Sequence, residues 1–552
     1  MENSSLVAVS LLDNFSNRLA NYFKSIGYKK GDSVALLLEN RPEYLGIWLG
    51  LSKIGVIAAL INTNLVSDSL VHSIFASKNK GLIFGSSFSE IIRQISEEIR
   101  TINLYEFKDD DNIQKLYNAR AIDLKQKLQE SLCIVPPELS ETETQDSLLY
   151  IYTSGTTGLP KAAIIRHSRY MLASGALFYL TGLNRETDIL YNALPLYHSA
   201  GGMLAAGVSL LFGTPVVLKR KFSASNFWMD CEKYNCTVAI YIGEICRYLL
   251  AAHKPDMKLN HKVKKVCGNG LKPQIWQQFK NTFGIEEIYE FYGATEGNAQ
   301  MVNIDGRVGA VGFVPVLGRW IMGPIIIQCD ENTGEPIRTK GGLCKRCKVG
   351  EPGLLVGKIN QKQLIKAFVG YADSQATKTK ILQNILVEGD AYFNTGDILV
   401  EDELGYLYFR DRTGDTFRWK GENVATCEVE AIISNFTGYN DAIVYGVEVP
   451  GSDGKAGMAA IVDPEDKLNI KELAQGLKSK LPSYAVPVFV RVVKSVPLTG
   501  TFKLKKVGLQ KEGFNVHKIE DGSLYVLYAK NSEYQPLTSN IYSDIVNGEM
   551  RL

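Results

Sequence analysis

From Gly31 to about Phe291, short apolar runs alternate with helix-length amphipathic segments. "DSVALLLEN" predicts a strand, "PEYLGIWLGLSKIG" a helix opened by Pro42, and "VIAALIN" the next strand. The pattern returns in "SLLYIYT", "DILYNAL", "GTPVVLK", "CTVAIYI" and "HKVKKVCG", with helices such as "PQIWQQFKNTF" between them. Near-continuous apolar strands separated by helices predict an α/β fold, with parallel sheets covered by helices on both faces. Residues 301–410 are denser in glycine and proline, and "IIIQCD", "GLLVGKI" and "YLYFRD" predict antiparallel strands in a small β subdomain. After "RDRTGDTF", the runs "NVATCEVEAIISNF", "DAIVYGVEV", "AGMAAIVD" and "KELAQGLKSKL" predict a small α+β unit. Gly414, between charged residues, is the expected hinge, dividing the chain into 1–413 and a mobile 414–552.

The 552 residues are 45% hydrophobic and 22% charged, the composition of a folded globular chain long enough for several cores. A net charge of +2 supplies no electrostatic reason to expect a nucleic-acid partner. The nine cysteines are scattered and odd in number, which suits a reducing compartment. Cys344 and Cys347 form one C-x-x-C without a second pair or a nearby histidine, which reads as a surface turn before a metal or redox site. The start "MENSSLVAVSLLDNFSNRL" lacks a basic n-region and meets Asp13 early, so no signal peptide is expected. The uncharged run between Asp188 and Lys219 is long enough to cross a membrane. Pro195, His198 and Gly201-Gly202 interrupt it, however, and a buried strand–loop–helix–strand is the expectation.

Candidate chemistry begins at "YIYTSGTTGLPKAAI". Gly155 and Gly158 permit close backbone approach to an anion, the hydroxyls of Thr153, Ser154, Thr156 and Thr157 supply donors, and Lys161 adds a cation. The stretch is not G-x-x-x-x-G-K-[ST], and a helix is expected to start near Ala162. On this evidence alone, a phosphate loop and a flexible Gly/Thr turn both remain open.

"YTSGTTGLPK", "LPLYHSAGG", "GNGLKP", "YEFYGATEGN", "YFNTGD" and "FRDRTGDTFRWKGENV", in this order, resemble the adenylate-forming enzymes: acyl-CoA synthetases, adenylation domains and luciferases. "RVGAVG", the long stretch from "AYFNTGDILVEDELGYLYFRD" onward and the closing "YQPLTSNIYSDIVNGEMRL" look like the fatty acid transport protein branch, the very-long-chain acyl-CoA synthetases. The resemblance implies ATP-dependent activation of a fatty acid as its acyl adenylate, with pyrophosphate release, then thioester formation with coenzyme A, coupled to fatty acid uptake.

The resemblance also assigns roles. Residues 153–161 clamp the β- and γ-phosphates of ATP; Tyr292 and Gly293 lie against adenine; Gly268, Asn269 and Gly270 line the nucleotide's other side. Thr295 meets the α-phosphate and Glu296 holds Mg²⁺, while Asp397 and Arg412 take the ribose and phosphate. His198 stands where the acyl carboxylate meets the α-phosphate. Lys503, in "PLTGTFKLKK", is the adenylation lysine, with Phe502 in place of the usual glycine and Lys505 and Lys506 as competitors. Arg418 and Lys420 meet the coenzyme A phosphates, and Tyr241, Ile242 and Gly243 wall the acyl tunnel. Association with the endoplasmic reticulum or plasma membrane, with the site facing the cytosol, is implied by the family alone. Relatives begin with a hydrophobic anchor and a longer lead-in, so a short isoform, an incomplete gene model and a peripheral form are all open for this start. A ligase for a bile or aromatic acid, and a non-catalytic fatty acid transporter of the same fold, are the competing readings.

Overall fold

The computed structural model describes residues 8–108, 120–153, 159–254, 256, 258–315, 323–330, 333–413, 415–420, 422–438, 440–450, 452, 454–496, 506–519, 521–528, 533–550 and 552. Two sheets dominate the first three hundred residues. The first orders its strands 122–123, 103–107, 81–85, 33–37, 57–60, 147–153 and 161–166, all parallel except the last. The second runs 301–303, 287–292, 265–269, 238–242, 190–192 and 216–218, parallel except for 301–303. Their central strands are buried along their whole length, as Ser33–Leu37 and Val238–Ile242 are, because helices cover both faces. Helix Pro42–Lys53 buries Tyr44, Ile47, Trp48 and Leu51 in the first core; helix Pro273–Phe283 buries Ile275, Trp276, Phe279 and Phe283 in the second. Both open with proline at the first helical position, where its missing N–H costs nothing.

A smaller antiparallel sheet follows, with strands 310–313, 406–412, 391–401, 353–358 and 325–327 in order. The C-terminal residues form a five-stranded sheet, 442–448, 455–462, 489–493, 523–528 and 533–536, whose core draws on residues from Phe417 to Ile545. The expected α/β architecture is therefore observed. The uncharged run also resolves as expected: strand Leu190–Asn192, a π-helical turn Ser199–Ala205, helix Ala206–Phe212 ended by Gly213 at φ +76°, and strand Val216–Leu218. No helix among the described residues is long and apolar enough to cross a membrane. The expected hinge residue Gly414 lies outside the described residues.

One expectation is corrected. Residues Lys161–Arg166 form a strand, not the start of a helix, and pair antiparallel with Ser147–Thr153. Ile164 and Ile165 are β-branched and favour a pleated surface. The Ile164 N–H also bonds the Gly370 carbonyl at 2.9 Å, and the Ala372 N–H bonds that of Ala162 at 2.8 Å. The helix begins only at His167. No helix N-terminus therefore follows the Thr/Gly stretch directly.

Candidate active site

The hairpin brings Thr153 and Lys161 opposite one another as register partners. Ser154, Gly155, Thr156, Thr157 and Gly158 lie outside the described residues. Lys161 places its Nζ 5.8 Å from the ring centre of Tyr371, which is almost wholly buried beside the hairpin. The Tyr371 hydroxyl donates to Glu296 Oε1 at 2.7 Å and also hydrogen-bonds with Thr153. Burial and the Glu296 charge both disfavour the phenolate, so this hydroxyl stays protonated and remains a donor. Tyr371 therefore joins the two halves of the site, and nothing in the local sequence marked it.

Glu296 follows strand Glu287–Tyr292, in the connection to strand Met301–Asn303. Its neighbour Thr295 places Oγ1 3.0 Å from Ser199 Oγ, and Ser199 opens the π-helical turn capped by His198. The turn winds tightly: the Gly202 N–H donates to the His198 carbonyl at 2.7 Å, and a Cβ on Gly201 would come within 2.4 Å of the Pro195 carbonyl oxygen. The His198 ring lies tilted on Tyr197, with centroids 4.5 Å apart. π-helical turns concentrate at functional positions, and this one sets Ser199 beside Thr295.

At the end of the same strand, the Tyr292 hydroxyl donates to Asp397 Oδ2 at 2.5 Å; Gly293, which follows, is exposed. Arg412 Nε is 3.4 Å from the other Asp397 oxygen, and the two residues are register partners in adjacent strands. The strand carrying Asp397 is irregular here, with Gly396 at φ +74° and a register shift at Ile398–Leu399, which turns Asp397 out of simple alternation. Tyr292, Asp397 and Arg412 are thus brought together.

Gly268 and Asn269 end strand Lys265–Asn269, and Gly270 follows at φ +84°. A carboxylate the sequence did not single out holds this turn: Glu290, fully buried, accepts from the Leu271 N–H at 3.2 Å, from the Gly270 N–H, and from the Tyr241 hydroxyl. Burial pushes its carboxyl up to about 8, against the pull of those three donors. Gly243 is packed so closely that a Cβ there would sit 1.7 Å from the Gly270 carbonyl oxygen. Tyr241 and Gly243, expected in the tunnel wall, thus adjoin the turn expected to line the nucleotide.

Lys503 and Lys505 lie outside the described residues. Lys506 is tied within the C-terminal unit, its Nζ 3.0 Å from Thr426 Oγ1, 3.2 Å from Glu430 Oε1 and 3.3 Å from Asp415 Oδ2. Of the two residues expected to meet coenzyme A, Arg418 is on the hairpin strand Phe417–Trp419 and Lys420 follows it, with Nζ 5.7 Å from the Trp419 ring. Cys344 is buried in the β subdomain, and Cys347 Sγ contacts the Pro352 carbonyl at 3.6 Å; both are free thiols.

The AMP-binding enzyme family model matches residues 10–355, and that of the AMP-binding enzyme C-terminal domain matches residues 428–503. Long-chain fatty acid transport protein 1 of Mus musculus is 46% identical over 541 residues, covering 98% of this chain and 83% of its own length. Long-chain fatty acid transport protein 6 of Homo sapiens is 40% identical over 550 residues, covering 98% and 86%. Among solved structures, an anthranilate CoA ligase with anthranoyl-AMP superposes with TM-score 0.75 at 21% identity, covering 91% of each chain. An o-succinylbenzoate CoA synthetase of Bacillus subtilis, with ATP and magnesium, does so with TM-score 0.71 at 22% identity, covering 92% and 95%. The chain belongs to the AMP-binding enzyme family, in the branch of the long-chain fatty acid transport proteins.

Proposed function

We propose that this protein is a long-chain and very-long-chain fatty acyl-CoA synthetase, which activates a fatty acid with ATP, releases pyrophosphate and passes the acyl group to coenzyme A. The observation that carries the reading is one continuous set of contacts. It runs from the phosphate hairpin through Lys161, Thr153 and Tyr371 to Glu296 and Thr295, and on through Ser199 to the turn that His198 caps. The Tyr292–Asp397–Arg412 cluster lies one strand-end away.

The chemistry needs these parts. A carboxylate attacks poorly at phosphorus, and charge builds on the oxygens of the α-phosphate and of the departing pyrophosphate. Lys161 and the hairpin offset charge on the β- and γ-phosphates, and the Thr295 hydroxyl donates to the α-phosphate. Asp397 accepts from the ribose hydroxyls, with Tyr292 and Arg412 fixing its orientation. His198 orients the acyl carboxylate and Lys503 completes adenylation. Arg418 and Lys420 then meet the coenzyme A phosphates. Glu296 with Thr295 is an oxygen donor set that fits Mg²⁺, a hard cation usually held by one or two carboxylates and the substrate's phosphates. When bound, Mg²⁺ neutralises phosphate charge. Coupling to uptake follows from trapping the acid as its thioester, and a cytosol-facing membrane surface is the location that the resemblance to the transport protein branch supports.

Acid-dependent pyrophosphate release tests this. Purified protein with ATP and Mg²⁺ is given palmitate, a C24 acid, a bile acid or no acid, each with and without coenzyme A. The synthetase reading expects release only with fatty acids, and AMP with acyl-CoA once coenzyme A is present. Release with the bile acid alone would move the substrate, and none with any acid would sink the enzyme. Lys503→Ala is expected to suppress adenylation while sparing thioester formation from supplied acyl adenylate.

A further inference from the structure

Among the described residues, the two arginines buried as whole side chains are both paired. Arg247, 5% exposed, lies between Glu244 and Asp441, and Arg491, 3% exposed, lies between Glu512 and Asp521. Arg169 has no such pair among the described residues. It sits in the first turn of helix His167–Leu180, directly after the strand that begins with Lys161. That helix carries the guanidinium to the underside of the loop holding Thr295 and Glu296. There Nη2 donates to the Ala294 carbonyl at 2.9 Å, while Nε is buried without a hydrogen-bond partner. The charge acting on it is that of Glu296, and burial pulls its pKa down to about 10.

A single carbonyl uses one of the five donors of a guanidinium. Arg169 is half-buried, but taking its Nε out of water without a partner is costly, and the fold accepts that cost beside a loop already read as the anion site. A neutral donor such as glutamine would anchor the Ala294 carbonyl equally well, so the anchor does not explain why the group is charged. We propose that Arg169 is a further cation of the nucleotide site: a positioning residue whose charge acts across the 294–296 loop to hold the metal–triphosphate group. The inference rests on reading that loop as the nucleotide's. Arg169 acts through Glu296 and Thr295, offsetting the negative charge that a carboxylate and a triphosphate place side by side.

Two variants separate charge from anchoring. Arg169→Gln keeps a donor for the Ala294 carbonyl and removes the charge; Arg169→Lys keeps the charge. MgATP binding to the full chain without any acid is measured by calorimetry, with adenosine as a phosphate-free control and thermal unfolding run alongside. For Arg169→Gln a roughly tenfold weaker MgATP Kd is expected, from the loss of one nearby charge in a partly buried site. Adenosine binding should be unchanged, and Arg169→Lys should stay within about threefold of the unaltered protein. MgATP binding by Arg169→Gln equal to that of the unaltered protein would overturn the proposal. So would equal losses of MgATP and adenosine binding in both variants with a matching fall in Tm, which is the signature of a structural anchor. The unaltered protein's acid-dependent pyrophosphate release reports separately on the synthetase: MgATP binding without such release would remove that reading and leave the Arg169 test intact.

Discussion

Tyr371 does more than any residue assigned from sequence to assemble this site, because one hydroxyl reaches Glu296 from the far side of the Lys161 strand. Hydrogen bonds to a charged partner contribute about 1.5–3 kcal/mol. Tyr371→Phe is therefore expected to lower Tm by a few degrees and to weaken MgATP binding about tenfold, read by thermal unfolding and calorimetry. Glu290 bears on pH instead. Its folded carboxyl titrates near 8 against an ordinary 4.5, so between those values the folded state holds a proton that the unfolded chain has released. Its contribution is full below about 4.5 and is lost as pH rises toward 8, at up to about 1.4 kcal/mol per pH unit. Glu290→Gln, which copies the neutral form, should flatten the dependence of unfolding free energy on pH across that window. An unchanged slope would mean that the three donors keep Glu290 ionised. Neither residue was legible in the sequence. Tyr371 is an uncharged residue in a loop, and Glu290 sits within "YEFYGATEGN" beside residues that drew the attention, so their roles come from partners distant in sequence, 75 positions for Tyr371 with Glu296 and 49 for Tyr241 with Glu290.

Among the elements, the strand Lys161–Arg166 decides how Thr153 and Lys161 face one another. The apolar stretch "AAII" fits a helix or a strand locally, and the vacant edge of strand Ser147–Thr153 selects the strand. The second decisive element is the strand end at Gly243, where helix Gly243–Ala252 starts against the 268–271 turn. A methyl group there has no room, since the obstacle 1.7 Å away is backbone. Gly243→Ala should cost about 1–3 kcal/mol of stability through overpacking, and weaken nucleotide binding by displacing the turn. Thermal unfolding and the ATP KM check both, and a fall in Tm with an unchanged KM would separate the turn from the nucleotide. The π-helical turn after His198 was foreseen only as a break in a hydrophobic run: proline, histidine and paired glycines announce an interruption without specifying its winding.

Across the whole molecule, one buried cluster joins the N-terminal sheets to the C-terminal unit. Arg247, from the helix that follows the expected tunnel wall, pairs with Glu244 at 2.8 Å and with Asp441, while Tyr248 reaches the same aspartate at 3.4 Å. Removing one partner of a buried pair strands the other, at a cost of about 3–5 kcal/mol when burial is complete. Asp441→Ala should therefore loosen the C-terminal unit, seen as faster proteolysis near residue 414 and a changed ratio of adenylation to thioester formation. Unchanged proteolysis and an unchanged ratio would show that this contact does not hold the two units together. By itself the sequence determined the α/β class, the run of buried strands and amphipathic helices, and the family, because local periodicity and contiguous motifs carry that information within short windows. It also named Tyr292, Asp397 and Arg412, which the fold brings together. Tertiary structure alone decided that Lys161–Arg166 pairs as a strand with Ser147–Thr153, that Tyr371 reaches Glu296 and Glu290 holds the Gly270 turn, and that Arg247 meets Asp441. Each of these is a pairing between distant segments, whose energy depends on burial and on an available edge or partner that no local window contains.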